Sequence, residues 1–352
     1  MTQDILFDRV GEWGVITLNR PEALNALTWG MVEAMRAQLI KWERDLKVQA
    51  VLIKGAGDKA FCAGGDIRWL YDHARKDPKH ACGFFREEYR TNAAIHHFTK
   101  PYVALIDGVV MGGGVGVSAH GDFRVAGDRT NFAMPETAIG LFPDVGGSYF
   151  LSRLHDGLGL YLALTGARAK AADCMAAGIA THYTPTEKMA ELEAALLERS
   201  FGSHAHADIE AVLDAHAGDP GHAPLNDVRQ AIARLFTGFD RLEDLMHAIE
   251  ENDGVFAIDT LATLAKMSPT SMKIAFEQLK RGHEMDFDHV MQMEFRIVRR
   301  VMEGHDFFEG VRAQIIDKDR NPKWKPGSLA GVSDAEIEKY FAPLGEEELQ
   351  LP

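Results

Sequence analysis

Two glycine-rich loops, each set between a short apolar run and a helical stretch, restrict what this chain can fold into. The first is FCAGGDIRWL, residues 61–70, and the second is GVVMGGGVGVSAHG, residues 108–121. Ahead of them, residues 5–9 and 13–18 are β-rich runs parted by Gly11, which predicts a hairpin. Residues 50–54 read as a buried strand leading toward the first loop, and residues 101–107 and 122–126 as strands on either side of the second. After the NRPE turn, Thr28 suits the N-cap of a helix running to about Leu46. Met31, Met35, Leu39, Trp42 and Leu46 give that helix one apolar stripe. Strand, glycine turn, helix and strand in succession describe β-β-α units, and so an α/β fold.

From about Thr186 the strand signals end. Amphipathic helices take over at residues 188–199, 225–236, 242–250 and 269–281. The chain therefore divides into residues 1–185, a β-β-α core, and residues 186–352, a mainly helical region. The stretch 202–222 reads as a looser connection. Its His204, His206, His216 and His222 lack ligand spacing such as HExxH, so they read as solvated side chains and not as metal ligands.

Composition excludes several classes. The net charge is −14, from 38 basic and 52 acidic residues, and no Lys/Arg run is interleaved with aromatics, which argues against a nucleic-acid partner. No apolar stretch is long enough for a bilayer, so no membrane partner is expected; the run at residues 103–110 is broken by Asp107 and Gly108. The opening residues MTQDILFDRV show neither signal-peptide nor transit-peptide character, which places the protein in the cytoplasm. Cys62, Cys82 and Cys174 are scattered, without CxxC spacing. Cys62 is either a reactive thiol beside a glycine loop or a small buried residue, and nothing adjacent lowers its pKa.

Glycine leaves its own N–H unshielded, so two such loops could hold a carbonyl oxygen that gains charge during a reaction. They could equally be tight turns with small-residue packing. The GxGxxG-like spacing of the second loop is a weak dinucleotide signal, since no strand closely precedes it. A third segment, MPETAIGLFPDVGGSYFL, sets Glu136 and Asp144 among Ile139, Leu141 and Phe142. Carboxyls desolvated in this way have raised pKa values and suit acid–base work. The plainer alternatives are a first-turn helix charge after Pro135 and the turn chemistry of PDVGG.

Taken together, LNRPEALNALT, FCAGGD, VMGGGVG and MPE followed by PDVGG resemble the crotonase (enoyl-CoA hydratase/isomerase) superfamily over roughly residues 10–155. SPTSMKIAFEQLKRG and HDFFEGVRAQIIDKDRNPKWKP look like its 3-hydroxyisobutyryl-CoA hydrolase branch. The resemblance implies a crotonase-like spiral of β-β-α repeats with a helical C-terminal region. It implies a thioester carbonyl held by the backbone amides of Gly65 and Gly113, with Ala26 and Gly64 along the CoA path. By motif match, Glu136 and Asp144 are the two hydrolase carboxylates, and Glu88 in FREEYR is a further substrate contact. Hydratases of the superfamily carry a second catalytic Glu where this chain has Gly116, so hydrolysis is expected over hydration, with a non-catalytic acyl-CoA binder as a third reading. The acyl-CoA substrate brings CoA with it, and no other cofactor and no metal is expected. A homo-oligomer, a trimer or a multiple of one, is the expected assembly. Whether the setting is valine breakdown or another acyl-CoA route stays open.

Overall fold

The protein is described by a computed structural model covering residues 3–202 and 204–351. It forms two compact units, each drawn from three stretches of chain. One comprises Met1–Gly65, Arg90–Phe132 and Arg168–Leu225; the other comprises Asp66–Tyr89, Ala133–Ala167 and Asn226–Pro352. No boundary between the units falls at residue 185. What changes there is element type, since the last strand ends at Tyr183 and the later elements among the described residues are helical.

Among the described residues the strands are β1 (Ile5–Val10), β2 (Trp13–Leu18), β3 (Ala50–Gly55), β4 (Ala60–Cys62), β5 (Tyr102–Leu105), β6 (Val109–Met111), β7 (Phe123–Ala126), β8 (Asn131–Ala133), β9 (Ala169–Lys170) and β10 (His182–Tyr183). β1 and β2 make the expected antiparallel hairpin, with Gly11 at φ +58° in its turn. The other members of the larger sheet join in parallel, in the order β1-β2-β3-β5-β7-β10. The smaller sheet runs β4-β6-β8-β9.

The core of the first unit explains why its strands read as unbroken apolar runs: a parallel sheet is buried on both faces. On one face Trp13, Val15, Leu52, Val103, Phe123 and Val125 pack with Leu192 and Leu196 of the helix Met189–Glu198, and with Ile209 and Leu213 of the helix Ala205–Ala215. That second helix corrects the reading of residues 202–222 as a loose connection. Ile209, Val212 and Leu213 supply an i, i+3, i+4 apolar set that the surrounding histidines obscure. Ser203, in the same stretch, lies outside the described residues.

The helix Trp29–Arg44 begins as expected, with the Thr28 hydroxyl accepting from the Met31 N–H at 3.3 Å. Its Trp42 meets Phe7 of β1 edge to face, ring centroids 6.0 Å apart. The stripe ends one turn early. Asp45 is extended, and Leu46 is 86% exposed instead of buried.

The second unit is helical around two long helices, Pro269–Gly282 and Phe287–Val301. Both start on a side-chain cap: Ser268 accepts from the Ser271 N–H at 3.1 Å, and Asp286 from the His289 N–H at 2.9 Å. Met291, Phe295, Ile297 and Val298 of the second are fully buried, each contributing roughly 1.5–3 kcal/mol by burial. Among the described residues no helix is long and apolar enough to cross a membrane.

Candidate active site

The glycine loops meet inside the first unit. The Ala63 N–H donates to the Leu24 carbonyl at 3.0 Å and the Leu27 N–H to the Gly64 carbonyl at 2.8 Å. A parallel bridge between Leu27 and Gly65 continues this docking, which sets Ala26 beside the first loop. Gly64 has φ +111°, open in practice only to glycine, and a Cβ there would lie 3.3 Å from the Met111 carbonyl oxygen and 3.6 Å from the Gly113 nitrogen. A Cβ on Gly114 would lie 2.3 Å from the Cys62 carbonyl oxygen. The loops thus touch backbone to backbone, and Ala26, Gly64, Gly65 and Gly113 share one region of this unit.

Gly113 opens the single-turn helix Gly113–Gly116, so its N–H has no acceptor within that helix. β6 immediately precedes this loop, contrary to the expectation that no strand stands close by. Its three residues are too few to carry a periodic signal. The four-residue helix that follows does not give the long βαβ frame of a dinucleotide site. Cys62 is fully buried, with its Sγ 3.6 Å from the Gly64 carbonyl, which fits the small packed residue over the reactive thiol.

The second unit gathers the acids. Glu88 and Tyr89 come from the helix Pro78–His96, Glu136 from the 3-10 turn Glu136–Ile139, and Asp144 from the PDVGG turn. Glu88, Glu136 and Asp144 are each 5% exposed or less. Glu136 does stand in a first helical turn after Pro135, but burial denies it the solvent that the plainer reading requires. The turn is anchored beside it: the Ser268 N–H donates to the Thr137 carbonyl at 3.1 Å, and the Thr137 hydroxyl to the Leu164 carbonyl at 3.2 Å. One Glu136 oxygen and one Glu88 oxygen are buried with no hydrogen-bond partner. An unpartnered buried carboxyl oxygen is costly and calls for an explanation such as a catalytic role or an ordered water.

Electrostatics follow from this burial. Desolvation, then the nearby Asp144 charge, push the Glu136 carboxyl well above its usual range; desolvation, Asp144 and Glu136 do the same to Glu88. Asp144 is pushed up to about 7 by burial, against a hydrogen bond from the Tyr89 hydroxyl at 2.8 Å that favours its charged form. Removing that donor leaves burial less opposed. Tyr89→Phe is therefore expected to raise the Asp144 titration midpoint by roughly one unit, read from the pH dependence of its side-chain carboxyl carbon-13 resonance. An unmoved or lowered midpoint would show that the phenol does not hold the charge.

Two members of this cluster were not found by sequence reasoning. Tyr89 lies next to Glu88, and a phenol in an aromatic run reads as core. Glu294 is fully buried on the helix Phe287–Val301, accepting from the Gly146 and Ser148 N–H groups at 2.8 and 2.9 Å. Its signal was available, since Glu294 interrupts the apolar stripe Val290, Ile297, Val301 of an otherwise amphipathic helix. Burial raises its carboxyl to about 8, opposed by the Gly146 amide and reinforced by Asp144. Between them Val145 sits at φ +53°, a left-handed conformation that costs a β-branched residue about 1–3 kcal/mol. Among the described residues no group of three or more His, Cys, Asp or Glu side chains is arranged to hold a metal ion.

Comparison with known proteins gives the family. Residues 13–341 match the family model described as Enoyl-CoA hydratase/isomerase. The chain is 49% identical over 354 residues to the 3-hydroxyisobutyryl-CoA hydrolase, mitochondrial, of Danio rerio, covering 99% of this chain and 92% of that protein. It is 50% identical to the protein of the same name from Xenopus laevis, covering 98% and 90%. Among solved structures, a carnitinyl-CoA dehydratase from Mycobacterium thermoresistibile superposes with a TM-score of 0.92 at 41% identity, covering 99% of each chain. Both sequence relatives are mitochondrial by name, which overturns the cytoplasmic placement drawn from the opening residues. The folded part of a protein carries no compartment address, so its chemistry could not have supplied one.

Proposed function

The chain belongs to the enoyl-CoA hydratase/isomerase family, and from that premise we propose that it hydrolyses a short 3-hydroxyacyl-CoA thioester, first among them 3-hydroxyisobutyryl-CoA, to the free acid and CoA. The observation that carries this reading is the buried set of Glu88, Glu136 and Asp144, with one oxygen of Glu88 and one of Glu136 lacking a hydrogen-bond partner. The names of the two hydrolase relatives support the same reaction.

In this reading the amides of Gly65 and Gly113 take the thioester oxygen as it becomes an oxyanion, a contribution of about 3–4 kcal/mol per donor in comparable sites. Ala26 and Gly64 line the CoA path. Glu136 either attacks the carbonyl carbon, giving an anhydride that water then opens, or takes the proton of an attacking water. Asp144 binds the substrate hydroxyl, assists proton transfer, or does both, with Glu88 as a further polar contact. Buried carboxyls this close do not all ionise near neutrality, so one proton is at hand for the departing thiolate. Hydrolysis by this route needs no metal and no redox cofactor, and CoA enters with the substrate. Assembly as a trimer or a multiple of one is part of the proposal and is checked by sedimentation.

A water-adding or water-eliminating reaction is the second reading, supported by the likeness to the carnitinyl-CoA dehydratase of M. thermoresistibile. It needs a pair of carboxylates on the water, and Gly116 supplies no side chain for one. The deciding measurement is thiol release from 3-hydroxyisobutyryl-CoA and 3-hydroxypropionyl-CoA, with crotonyl-CoA alongside. Free CoA from the hydroxyacyl esters is expected. Crotonyl-CoA consumed with no thiol released would replace hydrolysis by hydration.

A further inference from the structure

The backbone of the turn that carries Asp144 is held on both sides by side chains from other elements. On its N-terminal side the Gln278 amide donates to the Pro143 carbonyl at 2.6 Å. On its C-terminal side both oxygens of Glu294 are used: Oε2 accepts from the Gly146 N–H and Oε1 from the Ser148 N–H. Between these points the chain turns through Val145 and Gly146, both left-handed, at φ +53° and +85°. A β-branched residue keeps such a conformation only where its surroundings impose it. The imposing group is a carboxyl in the apolar stripe of a long helix, where a leucine or methionine would pack at no electrostatic cost.

We infer that Glu294 is a positioning residue for the reaction: by gripping the Gly146 and Ser148 amides it locks the Val145 turn and so fixes where the Asp144 carboxyl points. A plain helix cap would need one acceptor and no strained neighbour. Here two oxygens span the residues directly after Asp144, and the Tyr89 hydroxyl holds the carboxyl itself from another helix. Backbone on one side and phenol on the other leave Asp144 little freedom. The inference rests on the proposed reaction, in which Asp144 reads the substrate hydroxyl, and it adds that this reading depends on a residue that touches no substrate.

Glu294→Gln tests it, because the amide keeps the shape but presents an NH₂ group to one of two N–H donors. The rate of thiol release is measured for 3-hydroxyisobutyryl-CoA and for isobutyryl-CoA, which lacks the hydroxyl, in the native and Asp144→Asn backgrounds. The expected result is a loss in kcat/KM of tenfold or more for the hydroxyacyl ester, with the change below about threefold for isobutyryl-CoA. In the Asp144→Asn background the loss for the hydroxyacyl ester should shrink below threefold, the non-additivity of groups that act as a unit. Equal losses for both esters, or equal losses in both backgrounds, would reduce Glu294 to a structural cap and overturn the inference. Should Glu294→Gln fail to fold, the cycle is run with Glu294→Asp, which keeps the carboxyl but is too short to hold both amides. The same two outcomes then decide. Native enzyme that releases no thiol sinks the reaction itself, whereas native release with an additive cycle sinks only the role of Glu294.

Discussion

Glu136→Gln is expected to lower kcat for thiol release by about 10²–10⁴-fold while KM changes by less than about threefold. The substitution keeps the shape of the side chain and removes its ability to ionise, and with it the capacity to attack or to accept a proton. The surrounding turn should stand, since the Thr137 contacts to Ser268 and Leu164 involve other atoms. Stability should move the opposite way. Burial raises the folded-state pKa of Glu136 above its unfolded value, so above the unfolded pKa the native state binds the extra proton and stability falls as pH rises. Glutamine has no such term. Urea unfolding at pH 5.5 and pH 8 should therefore show the variant gaining on the native protein as pH increases. Full turnover in Glu136→Gln would remove the centre of the proposed chemistry. A variant that loses ground at high pH would show that the carboxyl is not held in its protonated form.

Gly114→Ala is expected to lower kcat/KM by about 10²-fold and stability by about 1–3 kcal/mol. The added methyl would fall 2.3 Å from the Cys62 carbonyl oxygen and 2.9 Å from its Cβ. Both neighbours belong to a strand in a sheet, so the backbone of one loop has to retreat from the other. The proposed oxyanion donors, Gly65 and Gly113, sit on these two loops and would be drawn out of register. Gly327→Ala is the control, where the nearest atom to the new methyl is at 3.7 Å. Comparable losses at both positions, read by thermal unfolding and thiol release, would show that the close approach of the loops is incidental.

Much of this was legible in the chain, and the exceptions have identifiable causes. The hairpin, the Thr28 cap, and the runs that became β3, β5 and β7 announce themselves through local chemistry: a glycine at a turn, an oxygen at an N-cap, apolar residues in a row. Glu136 and Asp144 stood out as carboxyls among Ile139, Leu141 and Phe142, but their neighbours alone left turn and helix-end chemistry open, and it was the resemblance that paired them. What local chemistry could not reveal was who faces them. Tyr89 and Glu294 lie 55 and 150 positions from Asp144, respectively, and although Glu294 breaks the stripe of its own helix, nothing local says which turn it faces. The helix Ala205–Ala215 was hidden by its composition, because histidine and aspartate around Ile209 and Leu213 mask a face that only the sheet reveals as buried. Leu46 erred in the other direction, extending a stripe past the residue where the backbone leaves the helix.

The interleaving of the two units along the chain has a consequence for a protein made from one end to the other. By the time Leu225 leaves the ribosome, every stretch of the first unit has been synthesised, yet Asp66–Tyr89 and Ala133–Ala167 still lack Pro269–Gly282 and Phe287–Val301. Those two waiting stretches carry Glu88, Glu136 and Asp144. Until the last helices emerge, the three side chains are ordinary wet acids, fully charged and chemically idle. On the proposed roles, a nascent chain that still lacks Pro269–Gly282 and Phe287–Val301 has its three acids but not the packing that desolvates them.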